Sequence, residues 1–358
     1  MEAYEAPADP TIAAFRRHVK LLVIILNYRV VELTIECLRS LSREIPRIPG
    51  ARVAVCENGT GDDSEARLRG VIDANGWESW VDLSAIHPNR GFTGGNNVVL
   101  RAALAAPDPP ECVLLLNADT IVLPHALEAL VDFMHSHPRV GIAGSRLEGP
   151  DGKLQASAFR FFSVASEFDR GLRLGVVSRA LERWGTVLPT PTEPQQVDWV
   201  SGASMIIRRA VFDSIGLLDE GFYTYFDDID FCLNALRAGF STYCVPASRV
   251  IHLEGASTEI AHRVIRRRPD YWFQARRRFY LKNHGPLGAA LADGAFLVGY
   301  ALWRLRRRIQ RKPDSDPPHF LWDAFRHSVF VAGFALRDVE NPALRLSAPK
   351  VASAPGKG

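Results

Sequence analysis

Three aspartates fall within four residues, Asp227, Asp228 and Asp230, at the predicted start of a helix. A helix N-terminus favours negative charge by only about 0.3–1 kcal/mol, and three acids exceed what a helix start requires. The aromatic side chains between residues 222 and 226 would exclude water and raise a carboxyl pKa, as a general base requires. The cluster therefore predicts proton-transfer chemistry, and a merely charged helix start is the alternative.

A second acidic position follows the most apolar segment of the chain, residues 113–116, which ends in Asn117 and Asp119. A carboxylate is a hard oxygen ligand that suits Mg²⁺ or Mn²⁺, and these ions also bind phosphate oxygens. His252 follows a short apolar segment, and its neutral imidazole could complete such a site. The alternatives are a turn after a strand, because Asn and Asp favour turns, and a structural histidine.

A glycine-rich segment at residues 89–97 contains Arg90 and Gly91. Glycines let a ligand approach the backbone, and the N-terminus of a following helix can face an anion. The spacing is neither that of a Walker loop nor GxGxxG, which argues against an ATPase or a dehydrogenase. The segment indicates either a loop that faces phosphate or a structural turn.

These residues need elements to position them. Apolar segments typical of buried strands lie at 19–26, 52–56, 80–86 and 113–116. Helical patterns alternate with them at 31–41, 63–75, 94–106 and 124–135. This alternation predicts an α/β fold with a mainly parallel sheet and helices on both faces. Ligands of such sheets bind at the carboxyl ends of the strands, where the polar clusters fall.

The second half of the chain has a different pattern. Strands are predicted at 140–145, 201–207, 240–245 and 250–252, and helices at 208–215 and 226–238. Beyond Thr258 the chain is rich in arginine and helical to about Lys312. We therefore predict a catalytic domain at 19–260, a basic helical region at 261–345, and loose termini at 1–18 and 346–358.

Charge is unevenly distributed along the 358 residues, whose net charge is only +3. Residues 263–312 hold fourteen Lys and Arg against Asp270 and Asp293, a net +12, which leaves −9 for the rest. Such asymmetry suggests an anionic partner for the basic part. The five scattered cysteines form no metal motif, and the acidic N-terminus lacks the apolar core of a signal peptide, so we expect a cytosolic protein with buried, reduced thiols.

The order of the motifs resembles that of inverting glycosyltransferases of family 2, especially bacterial rhamnosyltransferase-type members that build O-antigen or capsule. The resemblance covers residues 19–258. The motifs are, in order, IILNY at 24–28, ENGT at 57–60, NRGF at 89–92, LNAD at 116–119, WVSGA at 199–203, LDEGF at 218–222, FDDID at 226–230, and His252.

The resemblance implies a GT-A fold, a nucleotide-sugar donor, and Mg²⁺ or Mn²⁺. Asp119 and His252 would be the metal ligands. The donor would be bound by Asn27, Tyr28, Glu57, Asn58, Arg90, Gly91, Asn117 and Asp119. The sugar and the acceptor would be bordered by Trp199, Gly202, Ala203 and Asp230. Asp228 matches the catalytic base, and Asp227 and Glu57 are conservative departures from the family's Glu and Asp.

The implied mechanism is a single in-line displacement. Asp228 takes a proton from an acceptor hydroxyl, which attacks the anomeric carbon and inverts its configuration. The preferred donor is dTDP-rhamnose, and UDP-hexoses including galactofuranose are alternatives; the acceptor would be lipid-linked or a glycan. A nucleotidyltransferase would need glycines after the first strand, and a non-catalytic sugar-binding protein would be expected to lose the acid cluster.

The apolar segment 287–303 precedes a run of arginines. It is shorter than the ~20 residues that span a bilayer and contains Asp293, so an interfacial helix is favoured over a spanning one. A soluble packing helix or a homo-oligomer contact is the remaining alternative. No nucleic-acid motif accompanies the basic residues, so we expect an anionic membrane surface as the partner of 263–312, on the cytoplasmic face.

Overall fold

The structure is a computed structural model that describes residues 20–253 and 267–342. Its strands are β1 (Leu21–Asn27), β2 (Ala51–Asn58), β3 (Val81–Ile86), β4 (Cys112–Asn117), β5 (Thr120–Val122), β6 (Val140–Glu148), β7 (Gln195–Val197), β8 (Ser204–Arg208) and β9 (Ser241–His252). Its helices are α1 (Val31–Leu41), α2 (Ser64–Ala74), α3 (Gly91–Leu104), α4 (Ala126–Ser136), α5 (Val164–Leu172), α6 (Gly175–Ala180), α7 (Arg209–Ile215), α8 (Asp227–Arg237), α9 (Asp270–Ile309), α10 (Phe320–Arg326) and α11 (Val329–Ala332).

The first four strands form the predicted parallel sheet, in the order β3-β2-β1-β4. Alternate side chains of β1 enter different cores, because helices cover both faces of the sheet. Ile24 shares a core with Leu100 of α3, whereas Val23 shares the other with Leu38 of α1. This two-sided burial explains why β1 is a continuous apolar run in the sequence.

Beyond β4 the sheet becomes mixed. β8 is antiparallel to both β4 and β6, and β9 is parallel to β6. The short strands β5 and β7 pair antiparallel with β9. The two strands predicted at 240–245 and 250–252 are one strand, β9, whose register with β6 shifts between Ser145 and Arg146.

Several boundaries differ from the prediction. Helix α3 begins at Gly91, not at 94, because Gly91 adopts a positive φ of 72° that starts the helix inside the glycine-rich segment. The sequence pattern did not predict β5, β7, α5 or α6. Strands of three residues are too short to show a period of two, so nothing distinguished β5 and β7 from loops. The five cysteines are buried and free, as predicted.

The C-terminal region is built around α9, which bends at Gly285 just before Pro286. Its backbone approaches α5 closely, since a Cβ added to Gly299 would lie 2.6 Å from the carbonyl oxygen of Phe168. The predicted arginine-rich helix is confirmed over 270–309. Residues 254–266 and both predicted loose termini, 1–18 and 346–358, lie outside the described residues.

Candidate active site

The carboxyl ends of β1, β2 and β4 bring the first group of predicted site residues to one edge of the sheet. Register places Asn27 beside Glu57, and Leu26 beside Asn117. These side chains come from distant parts of the sequence. They share an edge because parallel strands end together.

Asn27 and Glu57 are both buried at this edge. The Asn27 side-chain oxygen accepts a hydrogen bond of 2.8 Å from Thr34, but its Nδ2 is buried with no partner among the described residues. The Glu57 carboxylate accepts the backbone N–H of Thr60 at 2.7 Å, and Tyr28 is partly exposed next to Asn27. An unpaired amide donor can serve a hydrogen-bonding ligand.

Asn58 holds the glycine-rich segment in place. Its amide nitrogen donates to Asn89 Oδ1 at 3.1 Å and to the Gly91 carbonyl at 3.0 Å, and its oxygen accepts from the Arg90 N–H at 3.0 Å. A Cβ at Gly91 would collide with the backbone and ring of Tyr223, so only glycine fits there. The Arg90 side chain itself is exposed.

Asp119 and His252 converge at the end of β9. Pairing of β5 with β9 sets Thr120 opposite His252, and His252 Nε2 lies 3.5 Å from both Asp119 Oδ1 and Asn117 Nδ2. Asp119 is 2% exposed, and its Oδ1 has no hydrogen-bond donor in the described part of the chain. A buried carboxylate oxygen facing an imidazole nitrogen fits a divalent cation.

The protein contributes only part of a metal coordination shell at this corner. Within residues 20–253 and 267–342, no group of three or more His, Cys, Asp and Glu is close enough to hold a metal ion. Mg²⁺ commonly takes one or two protein carboxylates together with substrate phosphates and water. Two side chains would suit such an ion only if a phosphate-bearing ligand and water supplied its remaining ligands.

The acid cluster opens α8, as predicted. Asp228 Oδ2 accepts the Gly202 N–H at 3.2 Å, and its Oδ1 accepts the N–H of Ile229 at 2.9 Å. Burial raises the pKa of Asp228, and burial together with the Asp228 charge raises the pKa of Asp227 well above its ordinary value. Neither carboxylate forms an ion pair within the described residues. A carboxylate oriented by backbone donors, with a raised pKa, is suited to take a proton.

A strained turn sets the direction of α8. Tyr225 and Phe226 adopt positive φ angles of 69° and 62°, which are unfavourable for bulky side chains. Packing compensates for this cost, because the Phe226 ring contacts those of Trp272 and Phe279, each at 5.8 Å between centroids. The C-terminal helix thus holds the turn that aims Asp228 at Gly202.

The 199–203 segment lies between the acid cluster and the proposed metal corner. Gly202 contacts Asp228, while the buried Ala203 accepts the Asn117 N–H at 3.0 Å. Trp199 is also buried, where it stacks on Phe159 with centroids 4.0 Å apart. Gly202 and Ala203, which are predicted to border the sugar, therefore connect Asp228 to Asn117, and Trp199 packs in the core beside them.

Asp230 lies where α8 packs against α9. Its carboxylate accepts hydrogen bonds from Lys282 Nζ and Asn283 Nδ2 of α9, both at 2.7 Å. Lys282 also pairs with Asp219 at 2.8 Å. The sequence did not predict that Lys282 would pair with Asp230, or that Tyr271 would stack on Tyr225. The available signal was the spacing of Arg278 and Lys282, which places both cations on one helix face.

Comparison with known proteins identifies the family of the chain. A family profile described as "Glycosyltransferase like family 2" matches residues 18–278, more than half of the chain. The N-acetylglucosaminyl-diphospho-decaprenol L-rhamnosyltransferase of Mycobacterium tuberculosis is 28% identical over 251 residues, which cover 64% of this chain and 79% of the relative. Rhamnosyltransferase WbbL of Escherichia coli K12 is 28% identical over 165 residues, covering 45% of this chain and 60% of WbbL.

Solved structures confirm the expected GT-A type of α/β fold. GalNAc-T7 with UDP, GalNAc and Mn²⁺ superposes with a TM-score of 0.54 at 17% identity, over 82% of this chain and 55% of GalNAc-T7. The mannosyltransferase PcManGT of Pyrobaculum calidifontis, with GDP-Man and Mn²⁺, gives 0.51 at 15% identity, over 90% and 85%. This chain therefore spans about half the length of GalNAc-T7.

Proposed function

The chain belongs to the family-2-like glycosyltransferases, and from this premise we propose that it is an inverting, metal-dependent hexosyltransferase of surface polysaccharide synthesis. We propose dTDP-rhamnose as the donor, because two relatives carry the name rhamnosyltransferase. A UDP-hexose, including galactofuranose, is the alternative. The acceptor is a hydroxyl of a lipid-linked sugar or glycan, in keeping with the diphospho-decaprenol of the mycobacterial relative's name.

One observation carries the mechanism: the 202–203 segment joins Asp228 to Asn117 of the metal corner. Asp228, oriented by the Gly202 N–H, accepts the acceptor's proton as the hydroxyl oxygen attacks the anomeric carbon. The bond from that carbon to the diphosphate oxygen breaks on the opposite face, so the configuration inverts. Asp119 and His252 would hold Mg²⁺ or Mn²⁺, which would neutralise the charge that develops on the diphosphate.

The remaining residues divide into ligand contacts and supports. Asn27 offers its free Nδ2 to the nucleobase, Tyr28 covers the base, and the exposed Arg90 faces the diphosphate. Glu57 and Asn58 act mainly by shaping the loops they bond, because their polar atoms already hold backbone groups. We further propose a cytoplasmic location at the inner face of the membrane, where a lipid-linked acceptor would be reached.

A thermal-shift screen with dTDP-rhamnose, UDP-hexoses and GDP-mannose, each with Mg²⁺ or Mn²⁺, tests the donor. A ligand stabilises the folded state by RT ln(1 + [L]/Kd), so we expect dTDP-rhamnose to raise Tm most. A larger shift with a UDP-hexose would reassign the donor. Slow release of the nucleoside diphosphate by wild type, but not by Asp228→Asn, separates an enzyme from a sugar-binding protein. Release of pyrophosphate from a nucleoside triphosphate supplied with a sugar 1-phosphate would indicate a nucleotidyltransferase.

A further inference from the structure

The distal part of α9, after the bend at Gly285, has an apolar face that nothing in the described structure covers. The side chains on it are between 46% and 74% exposed: Leu287, Leu291, Val298, Leu302, Leu305 and Ile309. At 3.6 residues per turn these positions fall within an arc of about 60°. Buried Phe296 and Tyr300 lie on the opposite side of the helix. A single apolar stripe facing solvent needs a partner.

The stripe continues onto the two short helices that follow. A groove of about 710 Å³ between α9 and α10 is lined by Leu305, Trp322 and Phe325, the last two exposed by 59% and 42%. A Cβ added to Gly294, beside the stripe, would lie 3.8 Å from the ring of Phe330, which is 53% exposed. Distal α9, α10 and α11 therefore share one surface, which we call the apolar face.

Cations free of acidic partners stand at one end of the apolar face. The exposed side chains of Arg308, Arg311 and Lys312 form no ion pair within the described residues, and Arg308 also lines the groove. By contrast, Arg304 and Arg307 both pair with Asp314. Apolar side chains next to unpaired cations are complementary to the boundary between acyl chains and anionic headgroups.

The opposite side of α9 argues against a helix that crosses the membrane. By length and composition α9 could span one, but a third of its apolar window is buried against the protein. Asp293 in this window is buried and ion-paired with Arg276, and it accepts the Val329 N–H at 2.7 Å. Crossing a bilayer would require these contacts to break, which argues against α9 as a membrane-spanning helix.

We propose that the apolar face docks into the interfacial layer of an anionic bilayer, with distal α9 in the membrane plane and Trp322 at headgroup level. This docking would hold the enzyme beside a lipid-linked acceptor. That consequence depends on the proposed function, whereas the docking itself does not. The cations that meet the membrane are those after residue 307. The proximal arginines of the predicted 263–312 surface are different, since Arg276 and Arg278 are buried in ion pairs.

Co-sedimentation of the full chain with vesicles tests the docking. We expect binding to phosphatidylcholine mixed with phosphatidylglycerol, weakening in high salt, and at least about tenfold weaker binding to phosphatidylcholine alone. The face variant Leu291→Gln/Val298→Gln/Leu302→Gln should lose about tenfold or more of the anionic binding. A matched control, Val176→Gln/Val187→Gln/Leu236→Gln, removes exposed apolar side chains elsewhere and should bind as wild type.

A charge variant, Arg308→Gln/Arg311→Gln/Lys312→Gln, should retain weak binding that no longer depends on salt. Equal vesicle binding by wild type and the face variant would overturn the docking, as would resistance of wild type to extraction by salt and carbonate. The docking would also be overturned if wild type formed a dimer and did not bind vesicles, while the face variant was monomeric. That result would assign the apolar face to contact with a second copy of the chain. Unchanged donor hydrolysis in all variants shows that each is folded, and vesicle binding without any hydrolysis would count against the proposed function alone.

Discussion

The sheet edge and the C-terminal region use buried charge in opposite ways. At the edge, Asp227 and Asp228 have no cation partner within the described residues, and burial raises the pKa of both. In the C-terminal region, buried Arg276 lies between Glu167 and Asp293, and the pKa of Glu167 is lowered by Arg170 and Arg276 despite its burial. Unpaired acids remain available for proton transfer, whereas paired ones lock helices together.

Helix α8 is where the two uses of charge meet. Asp228 in its first turn accepts the Gly202 N–H, and Asp230, about half a helical turn further on, pairs with Lys282. The C-terminal region therefore orients the helix that carries the proposed base. The comparison predicts that substitutions at the sheet edge lower turnover. Substitutions in the ion-paired C-terminal region should mainly lower the free energy of unfolding.

The largest effect is expected for Asp228→Asn, which removes the proposed base while keeping its shape. Turnover should fall by 10²–10⁴-fold, the usual contribution of general-base catalysis, while donor binding by calorimetry stays within about twofold. Asp213→Asn, an exposed aspartate at a helix end, is the matched control. Retention of more than about a tenth of wild-type turnover would exclude Asp228 as the base.

Arg276→Met tests the paired region. Because Glu167 and Asp293 would remain buried without their shared cation, the free energy of unfolding should fall by about 3–5 kcal/mol in urea titration. Arg39→Met, which removes an exposed arginine paired within α1, should change it by less than about 1 kcal/mol. A similar small change for both variants would contradict the structural role of this network.

Metal binding should depend on the two converging ligands. EDTA should abolish turnover and Mn²⁺ restore it, and Asp119→Asn or His252→Ala should weaken Mn²⁺ binding in the presence of nucleoside diphosphate by more than about tenfold. His135→Ala, an exposed histidine, is the control. Full activity in EDTA would remove the metal from the proposed function.

Lys282→Met breaks the contact between the two regions. We expect a loss of up to about tenfold in kcat with little change in KM, because Asp230 no longer anchors the helix that carries Asp228. Lys282→Arg should restore most of the rate. Equal losses in both variants, or a loss confined to KM, would contradict a positioning role.

The pH dependence gives the smallest and most specific effect. The base works when ionised, so activity falls as pH drops through its pKa. Because the pKa of Asp228 is raised, the midpoint of the acidic limb of kcat/KM should lie above about 4, the ordinary aspartate value. The charge of Asp228 raises the pKa of Asp227 further, so Asp227 is still protonated when Asp228 ionises, and Asp227→Asn should leave the acidic limb in place. A limb that moves to lower pH in Asp227→Asn would show instead that Asp227 is charged while Asp228 titrates.

Local patterns were enough to predict the parallel half of the sheet and the polar residues at its edge. Asn27, Glu57 and Asn117 each follow an apolar run, and the ends of such strands meet regardless of the loops between them. The short strand β5 could not be predicted, since three residues carry no period. It is nevertheless the pairing of β5 with β9 that brings His252 to Asp119.

By itself the sequence determined the fold class and the family, because apolar periodicity and the motifs can be read directly along the chain. Only the tertiary structure decided which charged side chains are ion-paired or buried and which are not. Asp228 and Asp230 are two residues apart, yet one meets a backbone N–H and the other a lysine of α9. Likewise, Arg276 and Arg308 belong to one basic segment, but only Arg308 is exposed. Burial and pairing depend on which helices pack together, and composition does not record that.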